Sequence, residues 1–273
     1  MVNLPRLKVI LYPMRSRHIK RVLLGAVPTI LLTGCSSDEI SGLGYEKGLS
    51  SVNDESLSLW QGAWITAGVV GVITLILILW PVVFHRKKDD SFPKQTSNNN
   101  FIEATFTIIP LIIVAVLFYF TAVKEAKIVK VSPDSEVSHQ IEVVGIQWSW
   151  QFKYKDAGDF PEATVTGTPA QAPTLYLPVG EKVKFTINAN DVVHGFWIPA
   201  FMIQMQNLPG VENKLEFTAN KLGTYPGRCN ILCGRNHAQM LFTVKVVTKA
   251  EYENYINSLK PIDQVEEDKA ATA

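Results

Sequence analysis

The sequence has almost no net charge and very little cysteine. Its 273 residues include 26 Lys and Arg against 25 Asp and Glu, a formal charge of +1, and only three cysteines. Because no net field would attract a polyanion, the composition gives no support to a nucleic-acid partner. The motif C-x-x-C-H is absent, which excludes haem attached covalently to this chain. A hydrophobic content of 47% allows one globular domain together with membrane segments.

Two of the three cysteines stand close together in a stretch rich in metal-binding side chains, residues 227–240. Within twelve residues this stretch has two thiols, one imidazole and one thioether: Cys229, Cys233, His237 and Met240. Thiolate and thioether donors mixed with imidazole select copper among the first-row metals. Because two thiolates can each bridge two metal ions, the pair favours a dinuclear copper centre over a blue-copper site, which uses one cysteine. A disulfide and a structural zinc site remain alternatives.

A further imidazole is expected from His194, which follows a strongly alternating stretch, residues 181–190. Val183, Phe185 and Ile187 share one face there, as in a half-buried strand. His194 would then lie at a strand end, where a β-sandwich can present it beside the 227–240 loop. Alone, such a histidine is more often half-buried without a special role, but this loop needs one more imidazole.

The N-terminal residues 1–34 have the order of a signal peptide. Basic side chains precede a short apolar run, residues 22–32, that is too brief to span a bilayer. The run ends in Leu32-Thr33-Gly34-Cys35, which is similar to the lipobox of bacterial lipoproteins and predicts cleavage before a lipid-modified Cys35. Residues 35–58 would form an exported linker. The alternative is an uncleaved signal anchor with a chance cysteine.

Two long apolar segments, Leu59 to Phe84 and Glu103 to Val123, each reach the ~20 residues that cross a ~30 Å hydrocarbon core. They predict a transmembrane helical hairpin over residues 59–123, with tryptophans near the ends of the first helix as interfacial anchors. The loop between them carries His85-Arg86-Lys87-Lys88, which by the positive-inside rule places it in the cytoplasm and the C-terminal domain on the outer face. A buried hairpin in a soluble protein would need a larger core than the remaining residues can build.

From about Val137 the sequence changes to short alternating runs with turn residues between them. The runs predict six strands: Gln140 to Tyr154, Ala163 to Thr168, Thr174 to Leu177, Lys182 to Asn188, Lys214 to Ala219 and Met240 to Thr248. Such strands indicate an all-β sandwich or barrel over residues 124–250. Trp148 and Trp150 would share one face of the first strand. In residues 251–273, a short helix and then a disordered tail are expected, since the last residues lack an apolar period.

The residues DVVHGFWIPAF…PG…GTYPGRCNILCGRNHAQM resemble the copper A domain of cytochrome c oxidase subunit 2, and the resemblance extends from the membrane spans to the last strand. It implies a cupredoxin-like domain after a two-helix transmembrane hairpin. It also implies the copper ligands: the side chains of His194, Cys229, Cys233, His237 and Met240 and the backbone carbonyl of Ile231. The family usually has Glu at this last position, where its carboxylate reaches a magnesium or manganese ion at the border with subunit 1. Ile231 has no carboxylate, which leaves that border site in doubt.

The resemblance implies roles for two further residues. In the family the first tryptophan of the segment Gln147-Trp148-Ser149-Trp150 lies above the copper and receives the electron, so Trp148 is the expected point of electron entry. The acid seven residues before Pro110 lies at the entrance of a proton pathway in subunit 1, a role that falls on Glu103. From the residues alone, Trp148 would be sandwich core and Glu103 an interfacial carboxylate at a helix N-terminus.

The implied function is that of an electron-transfer subunit of a respiratory cytochrome c oxidase in a bacterial cell membrane. The chain would pass electrons from a c-type cytochrome through the copper centre to haem in subunit 1. There, in the assembly with other oxidase subunits, oxygen is reduced to water with proton translocation, so this chain serves an enzyme without holding its catalytic site. The alternatives are subunit 2 of a quinol oxidase, which lacks the copper ligands, a copper-delivery lipoprotein, and an exported sandwich stapled by a Cys229–Cys233 disulfide.

Overall fold

The computed structural model describes residue 42 and residues 44–87, 89–92, 95–158 and 163–260. The expected signal peptide, Cys35 and the tail beyond residue 260 lie outside the described residues. Within the described ranges, the chain forms two long helices, then two packed β-sheets and a short C-terminal helix.

The two long helices are α1 (Asn53–Phe84) and α2 (Asn100–Ile128). Their most apolar windows have mean hydropathies of 2.6 and 2.5, and none of either window is buried within the protein. A helix that is apolar all round has no face that prefers water. Both are therefore long and apolar enough to cross a membrane, and each extends beyond its predicted span. The side chain of Asn99 accepts the N–H of Ile102 and so caps the start of α2.

The strands of the β domain form two five-stranded sheets in the described residues. They are β1 (His139–Ile146), β2 (Ser149–Tyr154), β3 (Thr164–Thr166), β4 (Thr174–Pro178), β5 (Lys182–Ala189), β6 (His194–Ile198), β7 (Ile203–Asn207), β8 (Asn213–Thr218), β9 (Gly223–Cys229) and β10 (Leu241–Val247). One sheet has the order β3-β2-β1-β5-β8 and the other β4-β10-β9-β6-β7. β1 pairs antiparallel with β2 and parallel with β5, and β10 is parallel to β4. The predicted sandwich is confirmed.

Two expectations about the strands were wrong. The run from Gln140 to Tyr154 is not one strand but β1 and β2, joined by a two-residue turn at residues 147–148. Trp148 therefore lies partly exposed in the turn, while Trp150 on β2 is fully buried, and the two share no strand face. β6, β7 and β9 were not among the predicted strands, because glycine, proline and paired polar residues interrupt their alternation.

The space between the sheets is filled by aromatic side chains. Phe196 stacks on Phe242 with ring centroids 4.9 Å apart, and Trp150 packs edge-on against both at 5.8 and 5.2 Å. Removing a large apolar side chain from water contributes roughly 1.5–3 kcal/mol. This core holds β2, β6 and β10 together just below the end of the sandwich where the candidate site lies.

The C-terminal helix α3 (Lys249–Ser258) packs against the sandwich. A capping box between Thr248 and Glu251 defines its first turn. Tyr252 and Ile256, one helical turn apart, are buried against the sheets. A short helix was expected from residue 251, and the helix in the structure spans Lys249–Ser258.

An ionic cluster around His139 joins α3 to the sandwich. The ring of His139 places Nδ1 2.6 Å from Asp156 Oδ2 and Nε2 2.6 Å from Glu181 Oε2. From α3, Lys249 pairs with Glu181 at 3.0 Å and the hydroxyl of Tyr252 donates to Asp156 at 3.1 Å. Burial opposes a charge on the imidazole, but the two carboxylates outweigh it and raise the pKa of His139.

Candidate metal centre

Several segments meet at one end of the sandwich. β6 begins at His194, β9 ends at Cys229, and β10 begins directly after Met240. The β1–β2 turn, which contains Trp148, lies against the same loop. The loop between β9 and β10 is therefore held at both ends by paired strands, and such support fixes side-chain geometry more firmly than a free loop would.

Two buried sulphurs lie at the centre of this loop. Cys229 and Cys233 are free thiols, with Sγ atoms 3.8 Å apart. A disulfide would bring them to ~2.05 Å, so this geometry is that of two separate thiols. The backbone N–H of Gly195 donates to the Sγ of Cys229 at 3.5 Å. Both sulphurs are thus available as thiolate donors to a metal ion.

Two imidazoles present their Nδ1 atoms to this sulphur pair. Nδ1 of His237 lies 3.6 Å from the Sγ of Cys233. Nδ1 of His194 is buried, and no hydrogen-bond partner for it exists among the described residues. The donor atoms of His194, Cys229 and Cys233 lie within 4.8 Å of one another. An unpaired buried polar atom costs about 1–3 kcal/mol, and a metal ion would satisfy it.

A thioether and a carbonyl complete the group of donors. Sδ of Met240 lies 3.7 Å from Sγ of Cys233, and the side chain is fully buried. The carbonyl of Met240 accepts the N–H of Cys229 at 2.9 Å, which closes the loop onto itself. The carbonyl oxygen of Ile231 lies 3.2 Å from Sγ of Cys229. All six residues that the family resemblance implies as ligands are therefore gathered here.

The two thiols have different acidities. Burial raises the pKa of Cys229, but the neighbouring His194 ring and the N–H of Gly195 outweigh burial and hold the pKa below its ordinary value. Burial and the adjacent Cys229 sulphur raise the pKa of Cys233. Two thiolates this close repel each other, so a bound cation is what would keep both deprotonated.

Glycines allow the close approach of the elements that carry the donors. A Cβ on Gly145 of β1 would lie 2.7 Å from Cδ2 of His194. A Cβ on Gly195 would lie 2.0 Å from Oδ1 of Asn230 and 3.0 Å from Cγ1 of Ile231. These positions therefore require glycine if the His194 ring and the β9–β10 loop are to pack against β1 and β6.

The β1–β2 turn contacts the loop through hydrogen bonds to one carbonyl. Nε1 of Trp148 donates to the carbonyl of Cys233 at 3.2 Å, and Nε2 of Gln147 donates to the same oxygen at 2.8 Å. Trp148 remains partly exposed. Its ring thus lies between solvent and the backbone of Cys233.

Glu103 is not part of this cluster. It lies exposed in the first turn of α2, where its Oε1 accepts the N–H of Asn99 at 3.3 Å. Most of the length of α2 separates it from the β domain.

Sequence reasoning missed the residues that support the donors. Asp191, Gln147, Gly145 and Gly195 all contact the β9–β10 loop or His194. Only Asp191 left a local signal, because it stands three residues before His194. The others contact their partners through the fold, which a single sequence does not reveal.

Comparison with known proteins gave consistent matches. The family model described as cytochrome c oxidase subunit II, periplasmic domain, matches residues 139–247. A probable cytochrome c oxidase subunit 2 from Streptomyces avermitilis is 36% identical over 90% of this chain and 88% of that protein. Cytochrome c oxidase subunit 2 from Mycobacterium bovis is 30% identical over 86% of this chain and 79% of that protein. Among solved structures, the periplasmic domain of subunit II from Bradyrhizobium japonicum covers 45% of this chain and 94% of its own, with 28% identity and a TM-score of 0.41.

Proposed function

The chain belongs to the cytochrome c oxidase subunit 2 family, and we propose that the donors at the end of its cupredoxin-like sandwich hold a dinuclear copper centre. One observation carries this proposal. Two buried thiols 3.8 Å apart lie beside an imidazole nitrogen that is buried and has no partner in the described part of the chain. Soft sulphur donors combined with imidazole favour copper over zinc or the harder cations.

Each donor has a distinct part in holding the metal. Cys229 and Cys233 would each supply a thiolate to hold the metal, and His194 and His237 would each supply Nδ1 of an imidazole. Met240 and the carbonyl of Ile231 would supply a thioether and a neutral oxygen. Asp191 contacts the other ring nitrogen of His194 at 2.8 Å, which fixes the ring and leaves Nδ1 directed at the sulphurs.

The chain serves its oxidase as an electron-transfer subunit. A dinuclear copper centre, when bound, takes up and releases one electron at a time. The protein's part is to hold the donors on paired strands, to exclude water from all but the rim, and to keep their positions constant in both oxidation states. Met240, Cys229, Cys233 and His194 are buried, as this role requires.

The partners follow from the proposed role. Trp148, partly exposed and bonded to the carbonyl of Cys233, would receive the electron from a c-type cytochrome. The helices α1 and α2 would pack in the membrane against subunit 1, which holds the haem, with the β domain on the outer face. Glu103 would then lie on the cytoplasmic side, at the entrance to a proton pathway, and Cys35 would carry the lipid.

A border magnesium or manganese site is not part of this proposal. The side chain of Ile231 lies towards Gly195, and it offers no oxygen ligand at the position where the family has a carboxylate. The carbonyl of Ile231 is unaffected by the identity of its side chain, so the proposed copper ligand remains.

The test is a metal count on the full chain within the purified oxidase. We expect two copper ions per chain and the paramagnetic resonance spectrum of a mixed-valence pair. Met240→Leu should alter that spectrum, whereas Met205→Leu, a conversion of a partly buried methionine on β7, should not. One copper ion or none per chain, or a native disulfide between the two cysteines, would overturn the proposal.

A further inference from the structure

The strand β8 carries the connection that leads into the membrane helix α1. The N–H of Ser51 donates to the carbonyl of Thr218 at 2.9 Å, and the N–H of Thr218 donates to the hydroxyl of Ser51 at 3.0 Å. The N–H of Asn220 donates to the carbonyl of Leu49 at 2.9 Å, and Leu49 is buried. The chain is therefore paired along the edge of β8 immediately before α1 begins.

The same strand also holds the connection that leaves α2. Both oxygens of Glu216 accept from Ser132, Oε2 from its N–H at 2.8 Å and Oε1 from its hydroxyl at 2.7 Å. Lys182 donates to that hydroxyl at 3.0 Å and pairs with Glu216 at 3.3 Å. Lys184, opposite Glu216 in the β5–β8 register, donates to the carbonyl of Ser132 and pairs with Asp134 at 2.6 Å. All polar groups of Ser132 thus bind charged side chains.

Two of these charged side chains are buried. Glu216 is 9% exposed and Lys184 is 4% exposed. Buried charges are rare unless they are paired, and breaking such a pair is strongly destabilising. Burial opposes the charge on Glu216, but hydrogen bonds from Ser132 and Lys182 outweigh it and lower the pKa of Glu216. The buried charged side chains of Glu216 and Lys184 therefore both bind one residue, Ser132, in the connection after α2.

The two membrane helices are also joined to each other close to these connections. Glu55, in the first turn of α1, pairs with Lys124 at 2.7 Å and with Lys127 at 2.9 Å, both near the end of α2. Because α1 and α2 are tied together and each is fixed to β8, the hairpin has little freedom to tilt against the β domain.

We propose that β8 anchors the β domain to the membrane hairpin. We further propose that Glu216 in this strand is a positioning residue for electron transfer to the haem of the partner subunit. This inference rests on the proposed electron-transfer function. β5 begins at Lys182, beside the anchoring contacts of β8, and extends towards His194, about 26 Å over its eight residues. Over that length, a tilt of about 5° would move the far end by about 2 Å. Electron transfer slows steeply as the distance between donor and acceptor grows. A rigid connection between β8 and the hairpin would therefore keep the transfer from copper to haem fast.

The experiment compares three steps in the assembled oxidase: copper loading, reduction of the copper by the cytochrome, and transfer from copper to haem after a light-triggered electron injection. Glu216→Gln removes the charge but keeps the shape, and Glu216→Asp retains the charge as the conservative variant. Glu212→Gln is the matched control, because Glu212 is exposed and lies just before β8. Ser132→Ala is a second, milder variant that removes one bond to Glu216.

We expect Glu216→Gln to slow the transfer from copper to haem several-fold, with Glu216→Asp restoring part of the rate. Copper content, the paramagnetic resonance spectrum and reduction by the cytochrome should stay as in the unaltered protein. An unchanged copper-to-haem rate overturns the inference, and so does a parallel fall in all three steps. If the oxidase with Glu216→Gln does not assemble, the copper-to-haem rate of Ser132→Ala is measured instead and tests the inference by the same outcomes. Absence of copper from the unaltered chain would instead refute the proposed function.

Discussion

Oδ1 of Asp191 lies 2.8 Å from Nε2 of His194, the ring nitrogen that does not face the sulphurs. The same carboxylate accepts the N–H of Val192 through Oδ1 and the N–H of Gln147 through Oδ2, each at 2.6 Å. Asp191 thus joins the His194 ring to the β1–β2 turn that carries Trp148. One acid fixes both a proposed metal ligand and the proposed point of electron entry.

Asp191→Asn should weaken copper binding. Asp191 uses both carboxylate oxygens, whereas an amide has a single, weaker acceptor, so either the imidazole or the turn loses a partner. Loss of such a contact typically costs on the order of 10- to 100-fold in metal affinity. A chelator competition titration on the full chain measures the change. Glu212→Gln, a similar change at an exposed site, should leave the affinity unaltered, and equal affinities in both variants would contradict the assigned role.

Gly145→Ala should displace the imidazole of His194. The added methyl group would lie 2.7 Å from Cδ2 and 3.0 Å from Cγ of the ring, so the ring or β1 must move. We expect reduced copper content and an altered paramagnetic resonance spectrum. Gly68→Ala in α1, where the new methyl group meets nothing within 4 Å, serves as the control. A normal spectrum in Gly145→Ala would show that the ring position tolerates the change.

The loop donors were predictable from sequence because four of them stand within twelve residues, where spacing alone shows their common chemistry. His194 could be placed at a strand end by the alternation of β5, although β6 itself was missed. The residues that hold the proposed metal ligands and the β domain in position were not predictable from sequence. Glu216 and Ser132 are 84 residues apart in the chain, and no local pattern in either segment indicates the other.

The error at Trp148 has a similar cause. The run from Gln140 to Tyr154 gives no turn signal where the turn lies, since the two turn residues are Gln147 and Trp148 rather than Gly, Asn or Pro. Its one glycine, Gly145, lies within β1. The position of the turn is set by the antiparallel pairing of β1 with β2. The proposed role of Trp148 is independent of this error, because the turn leaves its ring at the surface beside Cys233.

Trp148→Ala should slow reduction of the copper by a c-type cytochrome. The substitution removes the exposed ring and its hydrogen bond to the carbonyl of Cys233, but none of the proposed ligands. Stopped-flow mixing of the reduced cytochrome with the oxidase measures the rate, and the copper spectrum should be unchanged. Trp197→Ala, at a partly exposed tryptophan on β6 beneath Arg228, is the control. Normal electron input in Trp148→Ala would remove the assignment.

Glu103→Gln should slow the proton-coupled reduction of the oxygen site in the assembled oxidase. The amide oxygen can still accept the N–H of Asn99, so the start of α2 should persist while the titratable group is lost. Glu125→Gln, near the opposite end of the same exposed helix surface, is the matched control. Time-resolved absorption of the haem reports the step, and unchanged kinetics in Glu103→Gln would exclude the proton-entry role.

The docking of α3 should weaken as pH rises. The pKa of His139 is raised in the folded protein, so its contribution is fully present below the unfolded value of about 6.5 and is lost as pH rises through the higher folded value. Hydrogen exchange of the α3 amides, corrected for intrinsic rates, should show less protection on the alkaline side. His139→Gln should abolish this dependence, whereas His85→Gln in the exposed loop after α1 should retain it. A flat profile in the unaltered protein would contradict the prediction.

The pairing of residues 49–51 with the end of β8 also bears on how a water-soluble fragment should be cut. A fragment that starts at Val137 would lose Ser51, Leu49 and Ser132 together. The outer edge of β8 would then be open to pair with another chain, and Glu216 and Lys184 would be left facing solvent or each other. Such a fragment should self-associate more readily than one in which residues 45–52 are fused back through a short connector, a choice that matters for anyone preparing the β domain for spectroscopy.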